Sequence, residues 1–233
     1  MQNFGYRSLA SYYDRIYDRK NYFKESRFIR DFLNMHGAKS VLDVGCGTGN
    51  HILRLKRYGF DCFGADLNYE MLAVAKSKVR VPLVQADMRA LSFGRSFSAV
   101  ICMYATFNHN IEYDDARKTA RCFRNCLGSD GVVLIDLHNP SNSGRRIDVT
   151  GDAERDVAWE LDRESRIERS RVRFKIGDQI IEDRHTMRIY SMEEMRSILE
   201  DEGFELIGVY EGYGFVPATD NSKNLEIVGR VKL

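Results

Sequence analysis

The stretch VLDVGCGTGN, from Val41 to Asn50, carries an apolar, strand-like run into glycines spaced G-x-G-x-G and on into the helical pattern that begins at His51. Glycine at such a junction accepts the backbone angles of a tight turn and lets a ligand approach the main chain, while the first turn of the following helix offers unpaired N–H groups. A strand, a glycine turn and a helix in that order form the core of a nucleotide-binding βαβ unit. Asn50 stands where the third glycine of the dinucleotide pattern G-x-G-x-x-G belongs, so a nicotinamide or flavin site is disfavoured and stays open only as a rival.

Short apolar runs then alternate with helical stretches as far as residue 139, the rhythm of a parallel sheet with helices packed on it. The expected strands are Ser40 to Val44, Asp61 to Ala65, Pro82 to Gln85, Phe97 to Met103 and Gly131 to Leu137. Between them, His51 to Tyr58 ends at Gly59, Tyr69 to Lys78 spaces Met71, Leu72, Val74 and Ala75 helically, and Asp114 to Leu127 is expected to stop at Gly128. Upstream, residues 1–37 hold Tyr6, Tyr12, Tyr13, Tyr17 and Tyr22, five of the 12 tyrosines, in two expected helices that would act as a lid.

Past the core, NPSNSGRR reads as a turn-rich linker opening an insertion over residues 140–190. In RVRFKIGDQII, Val172, Phe174 and Ile176 fall on one face and Arg171, Arg173 and Lys175 on the other, with Gly177-Asp178 as a hairpin turn. Residues 191–233 open with Ser191-Met192-Glu193-Glu194, a capping box for a helix that turns Met192, Met195, Ile198 and Leu199 inward and closes at Gly203. Glu205 to Tyr210 and Leu225 to Val231 would finish the sheet, and only Thr219 to Asn224 reads as disordered. The expected fold class is therefore α/β: a Rossmann-like sheet over residues 38–139 with helices on both faces, plus an antiparallel β insertion after strand five.

Two acids extend the reading of the glycine turn. Asp66 ends the second strand, 21 residues after Gly45, where a carboxylate accepts both hydroxyls of a ribose. Asp87 in QADMR ends the third strand another 21 residues on, placed to accept from an adenine amino group, so an adenosine is bracketed by three successive strand ends. Asp43, two residues before Gly45, can order the loop and meet a cationic ammonium.

Composition narrows the function classes. The 233 residues are 43% hydrophobic and 30% charged, and 35 Lys+Arg against 34 Asp+Glu leave a net charge of +1. No basic field gathers nucleic acid or an anionic membrane, so neither is expected as a partner. The sequence has neither a long apolar span nor the order of a secretory signal, which makes cytoplasmic residence the default expectation. Cys46, Cys62, Cys102, Cys122 and Cys126 are scattered and odd in number, as reduced core thiols are. Cys122 and Cys126 lie one helical turn apart, but no second Cys/His pair completes a tetrahedral site, and no metal is expected.

At LDVGCGTGN, GADLN, QADMR and FSAVICM, taken in order over residues 38–139, the sequence resembles the class I S-adenosylmethionine-dependent methyltransferases. The resemblance implies S-adenosyl-L-methionine as cofactor, S-adenosyl-L-homocysteine as product and a small-molecule methyl acceptor as partner. It implies that Gly45, Cys46 and Gly47 line the methionine portion, that Leu67 and Met88 pack on the adenosine, and that Met71 belongs to the same cofactor-binding set. A closer resemblance, to the enzymes that N,N-dimethylate nucleotide-linked amino sugars, is carried by YYDRIYDRKNY, CMYATFNHN and RIYSMEEMRSILEDEGFEL. On that pattern Tyr13 meets the cofactor, Tyr22 the cofactor or substrate, Met103 the adenosine or methionine chain, and His109 the attacking amine. The sequence departs from that group where Asp136-Leu137-His138-Asn139-Pro140 replaces an acid-Pro-Trp-Trp run, and where its N-terminal substrate-binding tyrosine falls on Gly5 beside Tyr6.

Methyl transfer from a sulfonium needs alignment and exclusion of water rather than a protein nucleophile. An ammonium acceptor must first lose a proton, for which His109 at the end of strand four is the expected base and His138 at the end of strand five its competitor. His36, His51 and His185 lack motif context and are expected to be structural. Arg145, Arg146 and the basic face of residues 169–175 form either an anion site or a solvated sheet face. The Val172, Phe174, Ile176 stripe offers a dimerisation surface or an active-site cover. Rivals from other classes are small-molecule O-methylation, a nicotinamide-dependent oxidoreductase and a non-catalytic cofactor-binding module. The absence of an Asn/Asp-Pro-Pro-Tyr/Phe run after strand four, where MYATFNHN stands, disfavours nucleobase or glutamine amides as acceptors.

Overall fold

The glycine turn lies at the point where the strand order of an eight-stranded sheet reverses. The computed structural model describes residues 9–151 and 153–232, so Gly5 and Tyr6 lie outside the described residues. In chain order the main-sheet strands are β1 (Ser40–Val44), β2 (Asp61–Asp66), β3 (Leu83–Gln85), β4 (Phe97–Cys102) and β5 (Leu127–His138). The inserted strands follow as β6 (Gly144–Thr150), β7 (Ala153–Asp162), β8 (Ile167–Ile176) and β9 (Gln179–Arg188), and β10 (Phe204–Glu211), β11 (Val216–Pro217) and β12 (Asn224–Val231) complete the main sheet. Its order is β11-β10-β12-β5-β4-β1-β2-β3, with β5, β4, β1, β2 and β3 parallel and β12 antiparallel to β5. The chain leaves β1 toward β3 and returns to β4 on β1's other side, which opens a crevice at the carboxyl ends of β1 and β4.

Helices cover both faces because these strands are apolar on both. On one face Leu42, Val100 and Ile135 pack with Phe123 of α5 (Tyr113–Cys126) and Ile198 of α6 (Met192–Asp201). On the other, Val41, Ile101 and Leu134 pack with Phe32 of α2 (Tyr22–Met35), Leu55 of α3 (Asn50–Arg57) and Ala75 of α4 (Tyr69–Lys78). Each fully buried Leu, Ile, Val or Phe side chain contributes roughly 1.5–3 kcal/mol, so the parallel core is a rigid platform for the crevice. The capping box at Ser191 forms as read: Ser191 N donates to Glu194 Oε2 at 2.8 Å and Glu194 N to Ser191 Oγ at 3.0 Å.

Three local expectations change. The helix before β5 ends at Cys126, and Leu127 turns directly into strand, paired with Phe97, instead of running to a cap at Gly128. Burial of Leu127 beside Phe97 in the core outweighs the glycine signal. Within the linker, Gly144, Arg145 and Arg146 already belong to β6. Glycine is needed there because a Cβ at Gly144 would lie 2.6 Å from the Trp159 ring. In residues 219–224, Ser222 is buried, its amide donating to Thr219 O at 3.0 Å and its hydroxyl to Glu211.

The inserted strands form a second, antiparallel sheet in the order β6-β7-β8-β9. Val172, Phe174 and Ile176 are buried in one cluster with Leu9, Tyr13, Ile16 and Met71. Helix α1 (Tyr13–Ile16) of the same chain thus covers this stripe, and it is not a free surface for a second subunit. Arg169, Arg171 and Lys175 face outward, and Arg171 pairs with Glu182 while Arg145 pairs with Asp156, as on a solvated sheet face. Among the described residues no helix is long and apolar enough to cross a membrane.

Candidate active site

The turn after β1 is held in left-handed backbone at Gly45, Gly47 and Gly49, with φ of 73°, 53° and 78°. A Cβ on Gly45 would sit 2.4 Å from Thr106 Cγ2, so only glycine lets the loop after β4 come this close. A Cβ on Gly47 would meet nothing within 4 Å, which leaves that side of the turn open to a ligand. Asp66 organises the turn from β2: Oδ2 accepts from Gly47 N at 2.7 Å and Oδ1 from Asn68 N at 2.8 Å. Asp43 lies buried beneath it, and neither of its carboxylate oxygens accepts a hydrogen bond from any described residue. Burial and the neighbouring Asp66 charge push its pKa up to about 8, against a smaller opposing pull from Lys20. An orphaned acid under an open glycine turn fits a ligand that brings its own positive charge.

The N-terminal helices are tied to this turn. Asp14 of α1 accepts from Thr48 Oγ1 at 2.6 Å, from Asn50 Nδ2 at 2.8 Å and from Lys78 Nζ of α4. Asn50 also hydrogen-bonds Tyr22, so the residue that breaks the dinucleotide pattern is the hub joining the N-terminal helices to the loop. Lys20 stacks its ammonium on the rings of Tyr22 and Tyr104, at 4.3 and 4.4 Å, and pairs with buried Glu25, which meets His51 Nε2 at 2.8 Å. His51 is therefore one link in a chain of polar contacts that reaches Lys20.

The segment after β4 carries two consecutive non-glycine residues with positive φ, Tyr104 at 55° and Ala105 at 57°. Such angles cost on the order of 1–3 kcal/mol per residue and persist only where the surroundings enforce them. Asp136 of β5 enforces them: Oδ2 accepts from Tyr104 N at 2.9 Å and from Tyr213 Oη at 2.8 Å, and its carbonyl accepts from Ala105 N at 3.2 Å. Asn108 then bridges His138 N and the carbonyls of His138 and Arg188, joining β5 to β9. His109 ends this segment with its ring hydrogen-bonded to the Thr186 backbone and 6.1 Å from the His185 ring. Burial first, then the His185 charge, push its pKa down to about 4, so it is neutral at pH 7. His138 Nε2 lies 3.3 Å from Glu168 Oε2 of β8.

The structure thus brings Asp43, Gly45, Cys46, Gly47, Asp66 and Met103 together at the ends of β1, β2 and β4, with Tyr22 joined through Asn50. Leu67 is 63% exposed beside them. Met88 follows β3, with Asn110 Nδ2 3.9 Å from its sulfur. Asp87 follows β3, and Arg89 donates to both its oxygens, at 2.9 and 2.6 Å, and also reaches Asp115. Tyr13 and Met71 are buried in the apolar cluster under the inserted sheet. Among the described residues no group of His, Cys, Asp and Glu is arranged to hold a metal ion.

A parallel sheet with its switch point at β1 and β4, a glycine turn and acids at successive strand ends give this chain the fold of the S-adenosylmethionine-dependent methyltransferases. Residues 41–131 match the family described as methyltransferase domain. An S-adenosylmethionine-dependent methyltransferase from Clostridium acetobutylicum ATCC 824 shares the fold with a TM-score of 0.87 at 20% identity, covering 98% of this chain and 99% of that one. The dTDP-3-amino-3,6-dideoxy-alpha-D-glucopyranose N,N-dimethyltransferase of Streptomyces fradiae is 32% identical over 55% of this chain and 52% of its own length. The glycine/sarcosine N-methyltransferase of Aphanothece halophytica is 37% identical over 49% of this chain and 46% of its own length. The chain spans about half the length of both relatives.

Proposed function

We propose that this methyltransferase transfers the methyl group to the nitrogen of a small-molecule amine, with His109 as the group that takes the amine's proton. The observation that carries the reading is the state of His109. Burial and the His185 charge outweigh the opposing hydrogen bond of its ring to the Thr186 backbone and leave a neutral imidazole at pH 7, at the end of the segment that Asp136 holds in left-handed backbone. The two N-methylating relatives point to the same acceptor class.

When bound, S-adenosylmethionine supplies an electrophilic methyl group on a sulfonium that leaves as a neutral thioether. Asp66 would hold the ribose, Asp87 would share its carboxylate between Arg89 and the adenine amino group, and Leu67 and Met88 would flank the base. Gly45, Cys46 and Gly47 would present backbone to the methionine portion, above Asp43, whose ionisation is favoured by a cationic partner. Tyr13, Tyr22, Met71 and Met103 complete the proposed cofactor set, Tyr13 and Met71 acting through the lid cluster they share. The lid excludes water and aligns the acceptor, the two contributions that an in-line displacement needs.

The test is calorimetric titration with S-adenosylhomocysteine, followed by methyl transfer from S-adenosylmethionine to amines, amino sugars first, read by mass spectrometry against the matching alcohols. Transfer to amines alone is expected. Transfer to alcohols alone would replace this reading with O-methylation, and cofactor binding without transfer to any acceptor would leave a binding module. Stabilisation by NAD(H) in place of S-adenosylhomocysteine would favour the oxidoreductase.

A further inference from the structure

The face of the inserted sheet that turns toward the main sheet changes character along its length. Alternate residues of a strand share a face. On β8 that face reads Glu168, Ser170, Val172, Phe174 and Ile176, and opposite them on β9 stand Met187, His185, Asp183, Ile181 and Gln179. The half ending at Ile176 packs on α1, whereas the half bearing Glu168, Ser170, His185 and Asp183 meets the ends of β4 and β5.

Two carboxylates are buried in that polar half, Glu168 at 2% exposure and Asp183 at 7%. Glu168 Oε2 and Asp183 Oδ2 accept no hydrogen bond from any described residue, and each faces an imidazole Nε2, that of His138 at 3.3 Å and that of His185 at 3.4 Å. A carboxylate removed from water without full pairing costs several kcal/mol, a cost that a fold with no use for the group would avoid. A cation of this wall, Arg155, pairs through Nη1 with Asp148 at 3.2 Å and lies over Tyr17, which stands against Tyr104, while its Nε donates to no described residue. On the two carboxylates, one oxygen each is left with acceptor capacity next to His109 and His138.

We infer that this polar half of the inserted sheet binds the methyl acceptor as an organic ammonium, with Glu168 and Asp183 as the residues that recognise it. The inference rests on the amine reading above and assigns it a site. An acceptor bearing a carboxylate or phosphate at this wall meets like charge, so the same pair selects against anions.

The experiment follows the imidazole proton resonances of His138 and His185 by NMR while ethanolamine is added, with and without S-adenosylhomocysteine, at constant pH and ionic strength. Ethylene glycol and acetate are the neutral and anionic controls. Ethanolamine should give saturable shifts at millimolar concentration, the range for a fragment-sized ligand, and the controls none. Glu168→Gln combined with Asp183→Asn should weaken ethanolamine by about tenfold or more, as loss of hydrogen bonds to charged acceptors predicts, and leave S-adenosylhomocysteine affinity within about twofold. A non-saturable response, an equal response to glycol or acetate, or full ethanolamine affinity in the double variant would each overturn the inference. Should the double variant fail to fold, the wild-type contrast between the three probes decides. Failure to bind S-adenosylhomocysteine is read in a separate titration and counts against the cofactor, not against this site.

Discussion

The Asp66 carboxylate accepts from the Gly47 amide at 2.7 Å, so the acid at the end of β2 holds the glycine turn at the end of β1. Its other oxygen takes Asn68 N at 2.8 Å. Burial raises the pKa of Asp66, and the amides that point at it oppose that rise. One side chain thus shapes the turn and, in the function proposed above, also accepts from the ribose.

Asp66→Ala removes both functions. Hydrogen bonds to a charged group contribute roughly 1.5–3 kcal/mol each, so affinity for S-adenosylhomocysteine should fall by about 1–3 kcal/mol once partial replacement by water is allowed. Calorimetric titration reads this directly. Unchanged affinity would mean that the ribose lies elsewhere.

His109 gives a prediction in pH. With its folded pKa pushed down to about 4 against an ordinary value near 6.5, the unfolded chain binds more protons than the folded one between those limits. Its contribution to stability is therefore present above pH 6.5 and lost as pH falls toward 4. The His109 resonance should titrate near pH 4 by NMR, and His109→Asn should flatten the loss of stability in that window. The same variant should spare cofactor binding and lower turnover by roughly 10²- to 10⁴-fold, the range for a removed general base. Full turnover would transfer the role to His138.

The parallel core was legible because its signals are local. Strand runs such as Val41 to Val44, glycines that need positive φ, and a capping box at Ser191 to Glu194 each declare themselves within a few residues. The lid and the inserted sheet were legible as elements but not as partners, since the burial of Phe174 against Tyr13 and Ile16 joins segments far apart in the chain. His51 and His185 read as structural for the same reason: Glu25 lies a helix away from His51, and His185 meets His109 only when β9 folds back on the segment after β4. The pairing of Asp87 with Arg89 is not legible in QADMR, because nothing in the motif shows that the guanidinium turns back. Asn50 is legible in the sequence only as a mismatch, although its side chain ties α1 to the glycine turn.

Asp43 couples stability to binding with opposite signs. Its pKa of about 8 lies above the ordinary 3.8, so between those values the folded protein holds a proton that the unfolded chain has released. The penalty grows as pH rises through this window. Asp43→Asn, which mimics the protonated acid, should raise the melting temperature of cofactor-free protein, and by more at pH 8 than at pH 6. It should also weaken S-adenosylhomocysteine, because a neutral amide no longer balances the ammonium. A variant that is less stable at both pH values would show that the carboxylate is ionised and paired in the folded state.

Asp14 holds the lid down. It gathers Thr48, Asn50 and Lys78 from the glycine loop and from α3 and α4, while α1 itself spans only Tyr13 to Ile16 and is too short to be stable alone. Solvent screens the pairing with Lys78, because the Asp14 side chain is 40% exposed, which leaves the bonds from Thr48 and Asn50 as the stronger part. Asp14→Ala should cost about 1–2 kcal/mol of docking, seen as faster amide exchange in residues 13–17 with little change in the exchange of β1 and β4. Dissociation of S-adenosylhomocysteine should quicken by about tenfold in a stopped-flow chase, because the lid then opens without breaking these bonds first. Asp14→Asn should lie between the two, since its amide oxygen can still accept from Thr48 but no longer carries the charge that draws Lys78. Equal dissociation rates in all three proteins would separate lid closure from cofactor retention and leave Asp14 with a packing role alone.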